Sequence, residues 1–320
     1  MKMAKKLNIL VLAGGISHER DISLKSGRRV ADGLKSHGLT VEIKDPDSSL
    51  VDYLAEKPPD VVWPVLHGAS GEDGALRAML EMLGVSYVGS SADSSRIAWN
   101  KPVAKAIVTR SGVLSPESVS LSRDAFRELG ADSLLETVVR SIGERLIVKP
   151  AQGGSAQGVS WVEDKTELRK AMVHAFTYCD VALIERWVAG VEVSVPIIDT
   201  GDGPLAVQPV EIEPLSGRYD FEARYTAGET RFYTPPRLAK PIIEKTKALG
   251  LEAFSALRLR HIARVDFIVD EAGVPWFLEA STMPGLTETS GTALALDSAG
   301  YDIGALYSAL VSTAKSKLGN

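Results

Sequence analysis

The chain has 320 residues, 45% hydrophobic and 24% charged, a balance that excludes wholesale disorder. At roughly 150 residues per domain it predicts about two compact units. Its 36 basic and 41 acidic side chains leave a net charge of −5 with no long basic run, which argues against nucleic acid as the main partner.

The opening MKMAKKLNILVLAGG has the lysines, short apolar run and small residues of a secretory leader. The run is short, however, contains Asn8 and leads into charged, helix-like sequence, so residues 7–13 read as a first buried parallel strand. No apolar stretch approaches the ~20 residues that span a bilayer. The lone Cys179 has no partner for a disulfide or a thiol metal pair and reads as a spectator in a reducing compartment. A soluble, cytoplasmic protein without a membrane partner is expected.

A helix follows from about Ile22 to Ser36, with Ile22, Val30 and Leu34 on one side and Gly38 beyond its end. Residues 40–44 alternate as a strand, and 60–66 form a buried one that Pro64 pushes toward a strand end. Leu76, Met79, Leu80 and Leu83 mark an amphipathic helix stopped by Gly84. Alternating β and α units to about residue 95 predict an open parallel sheet.

The texture changes after Asn100. A helix over 101–111 precedes strands at 146–149, 159–162 and 181–186, with a helix at 164–176 started by Asp164 and Glu167. Strands at 191–198 and 205–212 lead to a polar, aromatic stretch at 216–235, which is long for an idle connection and reads as a binding loop or lid. A helix over 239–257, strands at 261–269 and 275–281, and a helix near 302–317 complete the chain.

The sharpest chemical signal is HIARVDFIVDEAGVPWFLEAS. A turn at Ala272-Gly273 pairs Asp266 with Glu279 and Arg264 with Ser281 on one face, and sends Ala263, Val265, Phe267, Trp276 and Leu278 to the other. Opposed carboxylates repel unless a cation lies between them, and Mg²⁺ with nucleotide phosphates supplies that charge. The alternatives are a protonated carboxyl or a salt bridge through Arg264. A second signal is IVKPAQGGSAQGVSWV, in which Lys149 ends a strand and Gly153, Gly154 and Gly158 let backbone N–H groups approach phosphates. It lacks the Walker A order, and a plain glycine-bearing turn is the alternative; beside the carboxylate pair it reads as a nucleotide site. LAGGISHERDIS lacks the G-x-G-x-x-G spacing, which disfavours NAD, and puts Glu19 and Ser23 either at a ligand crevice or at a helix start. In VLHGASGEDG, His67 either meets substrate or belongs to a glycine-rich turn.

The segments LAGGISHERDIS, LHGASGEDG, NKPVAK, IVKPAQGGSAQG, LIERWVAGVEV, YDFEARY, RVDFI and LEASTMPG, in this order, resemble the D-alanine–D-alanine ligase family of the ATP-grasp superfamily. The resemblance runs nearly end to end. It implies an α/β chain with an α+β C-terminal part, built as an ATP-grasp fold with an N-terminal open parallel-sheet (Rossmann-like) subdomain at 1–96. A central subdomain at 97–187 and a C-terminal one at 188–320 would hold ATP between two antiparallel sheets. Two D-alanines would be ligated through a D-alanyl phosphate, for peptidoglycan precursor synthesis, by a homodimer. Lys101 and Lys149 match phosphate-contacting lysines, with Gly153 and Gly154 in the loop beside them. Glu185 and Trp187 fall in the strand that supplies adenine contacts, and Glu192 matches the ribose-holding carboxylate. Asp266, Glu279 and Ser281 match ligands of two Mg²⁺ (or Mn²⁺) ions. Glu19 matches the residue that holds the first substrate's ammonium, joined to Ser155 and Tyr225. Arg264 and the Gly285 N–H match oxyanion donors, and Ser290 and His67 match second-substrate and pocket contacts.

Four positions depart from the family pattern. Ser281 stands where Asn is usual and weakens the second metal site; Ala156 replaces a Ser, Arg224 a Lys and Gly291 a Leu. These departures leave two alternatives open, a ligase joining D-alanine to a different acceptor and a nucleotide-binding homologue without catalysis. Tyr225 argues against a hydroxy-acid acceptor, because it accompanies dipeptide formation in the family.

Overall fold

A computed structural model describes residues 7–316, so the first six residues of the leader-like opening and Lys317 of the expected last helix lie outside the described residues. The first unit is built on β1 (Asn8–Leu12), β2 (Thr40–Lys44) and β3 (Val61–Pro64), a parallel sheet in the order β2-β1-β3. Its helices are α1 (Arg20–Ser36), α2 (Leu50–Glu56), α3 (Ala69–Glu72), α4 (Ala75–Met82) and α5 (Ala92–Trp99), after which α6 (Lys101–Arg110) leads out of the unit. The β1 run is apolar throughout because both faces are covered: Ile9 and Val11 pack with Val30 and Leu34 of α1, while Leu10 and Leu12 pack with Leu54 and Leu80. Pro64 ends β3, where its missing N–H breaks no ladder bond.

The second unit contains β4 (Ser118–Ser122), α7 (Arg123–Glu128), α8 (Ala131–Ile142), β5 (Leu146–Pro150), β6 (Ser160–Val162), a 3₁₀ turn (Lys165–Glu167), α9 (Leu168–Ala175) and β7 (Val181–Arg186). The strands form an antiparallel sheet in the order β4-β7-β5-β6. Asp164 caps the 3₁₀ turn by accepting from Thr166 N. Leu146, Val148, Ala182 and Ile184 bury one face against α8 and α9, which leaves Lys149 and Glu185 on the other. Neither β4 nor α8 is anticipated from the sequence, whose reading leaves that stretch unassigned.

The third unit comprises β8 (Val191–Ile198), β9 (Leu205–Ala206), β10 (Val210–Pro214), α10 (Phe221–Tyr225), β11 (Thr230–Tyr233), α11 (Lys240–Ala256), β12 (Ile262–Val269), β13 (Pro275–Ser281), α12 (Gly291–Ser298) and α13 (Ile303–Ser316). Its sheet runs β11-β10-β8-β12-β13, with β9 on β8. The strand expected over 205–212 is broken between β9 and β10, where Pro209 has no N–H for the ladder and the register on β8 shifts. Val195, Ile197, Ala263, Val265 and Phe267 bury one face against α11 and α6. The last helix returns to the first unit, where the Tyr307 ring meets Trp63 edge-on at 5.1 Å between centroids.

The β12–β13 hairpin corrects the sequence reading in part. The pairs Asp266–Glu279 and Arg264–Ser281 form as expected, but the turn spans 270–274 and a bulge follows at Leu278. The register beyond the bulge is therefore displaced by one. Phe277 faces Phe267 in the core, whereas Trp276 lies opposite Ile268 and Leu278 lines a cavity, so neither joins the core face.

Candidate active site

The three units meet around two adjoining cavities. The larger, of about 640 Å³, is lined by Glu19, His67, Arg264, Gly285 and Ser290 among others. The second lies between the site-facing surfaces of the two antiparallel sheets, where Ile147, Trp161, Ile268 and Leu278 give it apolar walls and Lys149, Glu185 and Glu192 its polar groups. Lys101, Gly153, Gly154, Tyr219, Arg224 and Glu279 line both.

The loop after β5 explains how the cavities are joined. Lys101, at the start of α6, donates to Gly153 O at 2.6 Å and pairs with Glu279 at 3.3 Å. Ser155 and Ala156 both sit in the left-handed region, at φ 53° and 56°, a conformation costly for residues with a Cβ and held here by the contacts of the loop. That twist delivers Ser155 Oγ to Glu19 of the first unit and to Tyr225 Oη of the third, and Tyr225 Oη itself donates to Glu19 Oε1 at 3.0 Å. Three segments distant in sequence are thus fastened by one carboxylate. Tyr225 ends α10, inside the stretch expected as a lid, which is further held at its outer edge by Arg218 Nη2 donating to Glu163 Oε1 at 2.7 Å.

On the facing sheet, Arg264 grips Asp266 with Nε and Nη2, both donating at 2.8 Å, and Ser194 Oγ donates to the same carboxylate. Asp266 and Glu279 are opposed across the hairpin. Ser281 is not directed at them: its hydroxyl donates to Glu72 Oε2 at 2.9 Å. Among the described residues no group of three or more His, Cys, Asp or Glu side chains is arranged to hold a metal ion, so Asp266 and Glu279 stand as a pair.

Charge is strongly organised. Burial opposes ionisation of Glu279, but Lys101, Lys149, Arg224 and Arg264 outweigh it and hold its carboxyl at about 2. Burial likewise disfavours charge on Lys149, yet Glu185, Glu279 and Glu192 raise it. Lys149 pairs with Glu185 at 2.5 Å, and Glu185 also takes the Lys105 ammonium, itself bound to Pro116 O at 3.0 Å. Burial, with Asp266 and Glu279 nearby, pushes Glu192 up to about 7; burial and Glu19 do the same to Glu72. The imidazole of His67 is driven toward neutrality by burial; its Nδ1 lies 3.1 Å from Met283 O and its Nε2 has no partner. Burial opposes charge on Arg224, whose guanidinium carbon lies 4.0 Å from the Tyr219 ring centroid and whose charge is favoured by Tyr219, Glu192 and Glu279.

Trp187 follows β7 at the cleft, its ring stacked 3.6 Å from the Arg145 guanidinium. Gly285 approaches Ser290 so closely that a Cβ would lie 2.8 Å from Ser290 Oγ. Ser290 Oγ is itself engaged with Thr287, accepting from its N–H at 3.1 Å. Glu72, Tyr219 and Trp161 line the site without having been singled out from the sequence; only Glu72 carried a local signal, in the GASGEDG segment beside His67. Its loop is close-packed, since a Cβ at Gly71 would fall 1.8 Å from Leu66 O.

Two families match the chain: "D-ala D-ala ligase C-terminus" over residues 107–312 and "D-ala D-ala ligase N-terminus" over residues 44–90. The chain belongs to the D-alanine–D-alanine ligase family. The ligase is 35% identical over 314 residues to the D-alanine–D-alanine ligase of Pelotomaculum thermopropionicum, covering 98% of each chain. It is 36% identical to the enzyme of that name from Gloeobacter violaceus, over 95% of this chain and 98% of the other. Among solved structures, the Bacillus anthracis D-alanine–D-alanine ligase complexed with ATP superposes with a TM-score of 0.79 at 27% identity, covering 98% of both chains. The ligase therefore has the ATP-grasp architecture, with a parallel sheet ahead of its antiparallel ones. No helix among the described residues is long and apolar enough to cross a membrane.

Proposed function

We propose that this ligase uses ATP to join two D-alanines into D-alanyl-D-alanine, through a D-alanyl phosphate, in the cytoplasmic synthesis of peptidoglycan precursor. The observation that carries this reading is the shared border of the two cavities at Lys101, Gly153, Gly154, Tyr219, Arg224 and Glu279. A nucleotide in the cleft directs its terminal phosphate at that border, and an amino acid in the larger cavity presents its carboxylate to the other side. Residues 1–96 supply the amino-acid end, while 97–187 and 188–320 clasp the nucleotide.

The residues divide the work by charge. Glu19 receives the first D-alanine's ammonium. Lys101, Lys149 and the N–H groups of Gly153 and Gly154 contact the phosphates; Trp187 and the strand carrying Glu185 meet the adenine, and Glu192 the ribose. A carboxylate is a poor electrophile, and phosphorylation makes it an acyl donor without demanding covalent chemistry from the protein. The second D-alanine, held at Ser290 with His67 lining the pocket, attacks with its neutral amine. Arg264 and Gly285 N–H then face the developing oxyanion, where each such donor commonly contributes about 3–4 kcal/mol. An acyl phosphate hydrolyses in water, so the Glu19–Ser155–Tyr225 cluster that fastens the lid protects the intermediate.

The opposed Asp266 and ionised Glu279 fit one divalent ion, Mg²⁺ or Mn²⁺, because hard oxygen donors of opposite charge are what such ions take. When bound, the ion neutralises charge on the transferring phosphoryl group. A second ion has less to hold it, since Ser281 is committed to Glu72. The family resemblance further implies a homodimer. A ligase with a different acceptor is a second reading, favoured by Gly291, where a Cβ would meet only Val210 Cγ1, at 3.9 Å.

D-alanine labelled with ¹⁸O in its carboxylate tests the reaction. With ATP and Mg²⁺, one labelled oxygen is expected in the released phosphate for each dipeptide formed. Dipeptide formed with unlabelled phosphate rules out the acyl phosphate route.

A further inference from the structure

Arg77, in α4, is fully buried and lines neither cavity. A guanidinium carries five N–H donors and stays charged, so burying one without full hydrogen bonding is costly. Here Nη1 donates to Gly71 O, while Nε and Nη2 have no hydrogen-bond partner among the described residues. The backbone beside Nη2 is already committed. A Cβ at Gly89 would lie 3.4 Å from that nitrogen, but Gly89 O accepts from Arg260 Nε at 2.6 Å and Gly89 N–H donates to His261 Nδ1 at 2.9 Å. Burial accordingly pulls Arg77 below the ordinary arginine range and Arg260 adds to the effect, although Glu72 and Tyr87 oppose it. An apolar side chain of similar length would avoid these costs.

What its one bond holds is the loop from Leu66 to Glu72. The N–H groups of Gly71 and Glu72 both donate to Gly68 O, at 3.1 and 2.9 Å, and Gly68 N–H donates to Glu72 Oε1 at 3.2 Å. This closed turn makes three contacts across the substrate cavity. His67 Nδ1 lies 3.1 Å from Met283 O, Glu72 accepts from Ser281, and a Cβ on Gly68 would fall 3.1 Å from Glu19 Oε2. His67 and Glu72 line the larger cavity and not the nucleotide cleft, so a shift of the loop is felt by an amino acid before it is felt by ATP. Gly68 and Gly71 bring no side chains, which leaves the shape of the turn dependent on its hydrogen bonds.

We propose that Arg77 is a positioning residue for amino-acid binding: through Gly71 it holds the 66–72 loop in the shape that seats His67 and Glu72 at the substrate cavity, and it lowers the stability of the fold in doing so. This assignment rests on the ligation reading above. A buried group that destabilises the fold while supporting a site is the pattern expected where activity and stability compete.

The test combines initial rates of dipeptide formation, with D-alanine or ATP varied, and urea midpoints of the ligand-free proteins. Arg77→Met and Arg77→Leu are expected to raise the KM for D-alanine about tenfold and to leave the KM for ATP within about twofold of wild type. Arg77→Lys keeps a long donor for Gly71 O and is expected to stay within about threefold of wild type for both substrates. Both neutral variants are expected to unfold at a urea concentration no lower than wild type, because losing a guanidinium with two unpaired nitrogens offsets the loss of its one bond. Four results overturn the proposal: an unchanged KM for D-alanine, an equal rise in both KM values, an Arg77→Lys as impaired as the neutral pair, or neutral variants that are less stable than wild type or do not fold. If the wild-type enzyme forms no dipeptide, the ligation reading fails and this assignment with it; dipeptide from wild type with unchanged KM values in the variants sinks this assignment alone.

Discussion

Ser281 Oγ donates to Glu72 Oε2 at 2.9 Å, tying the end of the β12–β13 hairpin to a short helix 209 residues earlier in the chain. The side chain that the resemblance proposes as a metal ligand is thereby a strut between the sheet that carries Arg264 and the loop that carries His67. An asparagine at 281 brings an amide carbonyl, a better oxygen ligand than a neutral hydroxyl. Ser281→Asn is expected to lower the Mg²⁺ concentration for half-maximal dipeptide formation about tenfold, read from a Mg²⁺ titration of initial rates. Loss of activity at every Mg²⁺ concentration would show instead that the strut itself is required.

Glu72 also sets a pH dependence. Its carboxyl rises from an ordinary 4.5 to about 7 through burial and the nearby Glu19. A raised carboxyl binds its proton more tightly folded than unfolded, so its contribution to stability is full below about pH 4.5 and is lost as the pH climbs to about 7. Glu72→Gln removes that loss and is expected to be stabilised relative to wild type at pH 8 by on the order of 1–2 kcal/mol, with no such advantage at pH 4.5. Denaturant midpoints of the ligand-free proteins at the two pH values decide it; a variant less stable at pH 8 than at pH 4.5, relative to wild type, contradicts the assignment.

The Lys105–Glu185–Lys149 group behaves differently, because its charges are mutually compensated. Glu185→Gln removes the carboxylate that both buried ammonium groups pair with, leaving Lys149 only the more distant charges of Glu279 and Glu192, and is expected to cost about 3–5 kcal/mol in a urea titration. A loss under about 1 kcal/mol would mean that water or ligand phosphate, not Glu185, balances the lysines.

Tyr225→Phe removes one hydroxyl from the cluster that fastens the lid to Glu19. A hydrogen bond to a charged group of this kind supports an expected fall of about tenfold in kcat/KM, with more than one ADP released per dipeptide as water reaches the acyl phosphate. Arg218→Ala breaks the exposed outer contact to Glu163, for which a much smaller effect, within about 1 kcal/mol, is expected on both stability and rate. If Arg218→Ala uncoupled the reaction as strongly as Tyr225→Phe, the lid would be held from its edge rather than from Glu19.

Elements whose burial follows a single period were legible in the sequence. β1 showed its two covered faces as an unbroken apolar run, whereas α4 keeps its expected stripe only in part: Leu80 is buried and Leu76 and Met79 are half-buried, but Leu83 lies beyond the helix end and is exposed. The opposition of Asp266 and Glu279 was legible because apolar and charged residues alternate over 263–266, yet the register was right there only because the longer turn and the bulge at Leu278 cancel. Beyond the bulge they do not, and Phe277 took the core place expected for its neighbours. The left-handed backbone at Ser155 and Ala156 had no glycine to announce it. The Ser281–Glu72 bond and the docking of α1 on Leu286 join segments more than 200 residues apart, and nothing in local pattern encodes such contacts.

The most direct measurement is the stoichiometry of ADP to D-alanyl-D-alanine with ATP, Mg²⁺ and D-alanine as the only amino acid, ADP by coupled assay and product by mass. One ADP per dipeptide is the expected result. Tight ATP binding with neither ADP nor dipeptide formed would contradict the assignment of these residues to D-alanine ligation.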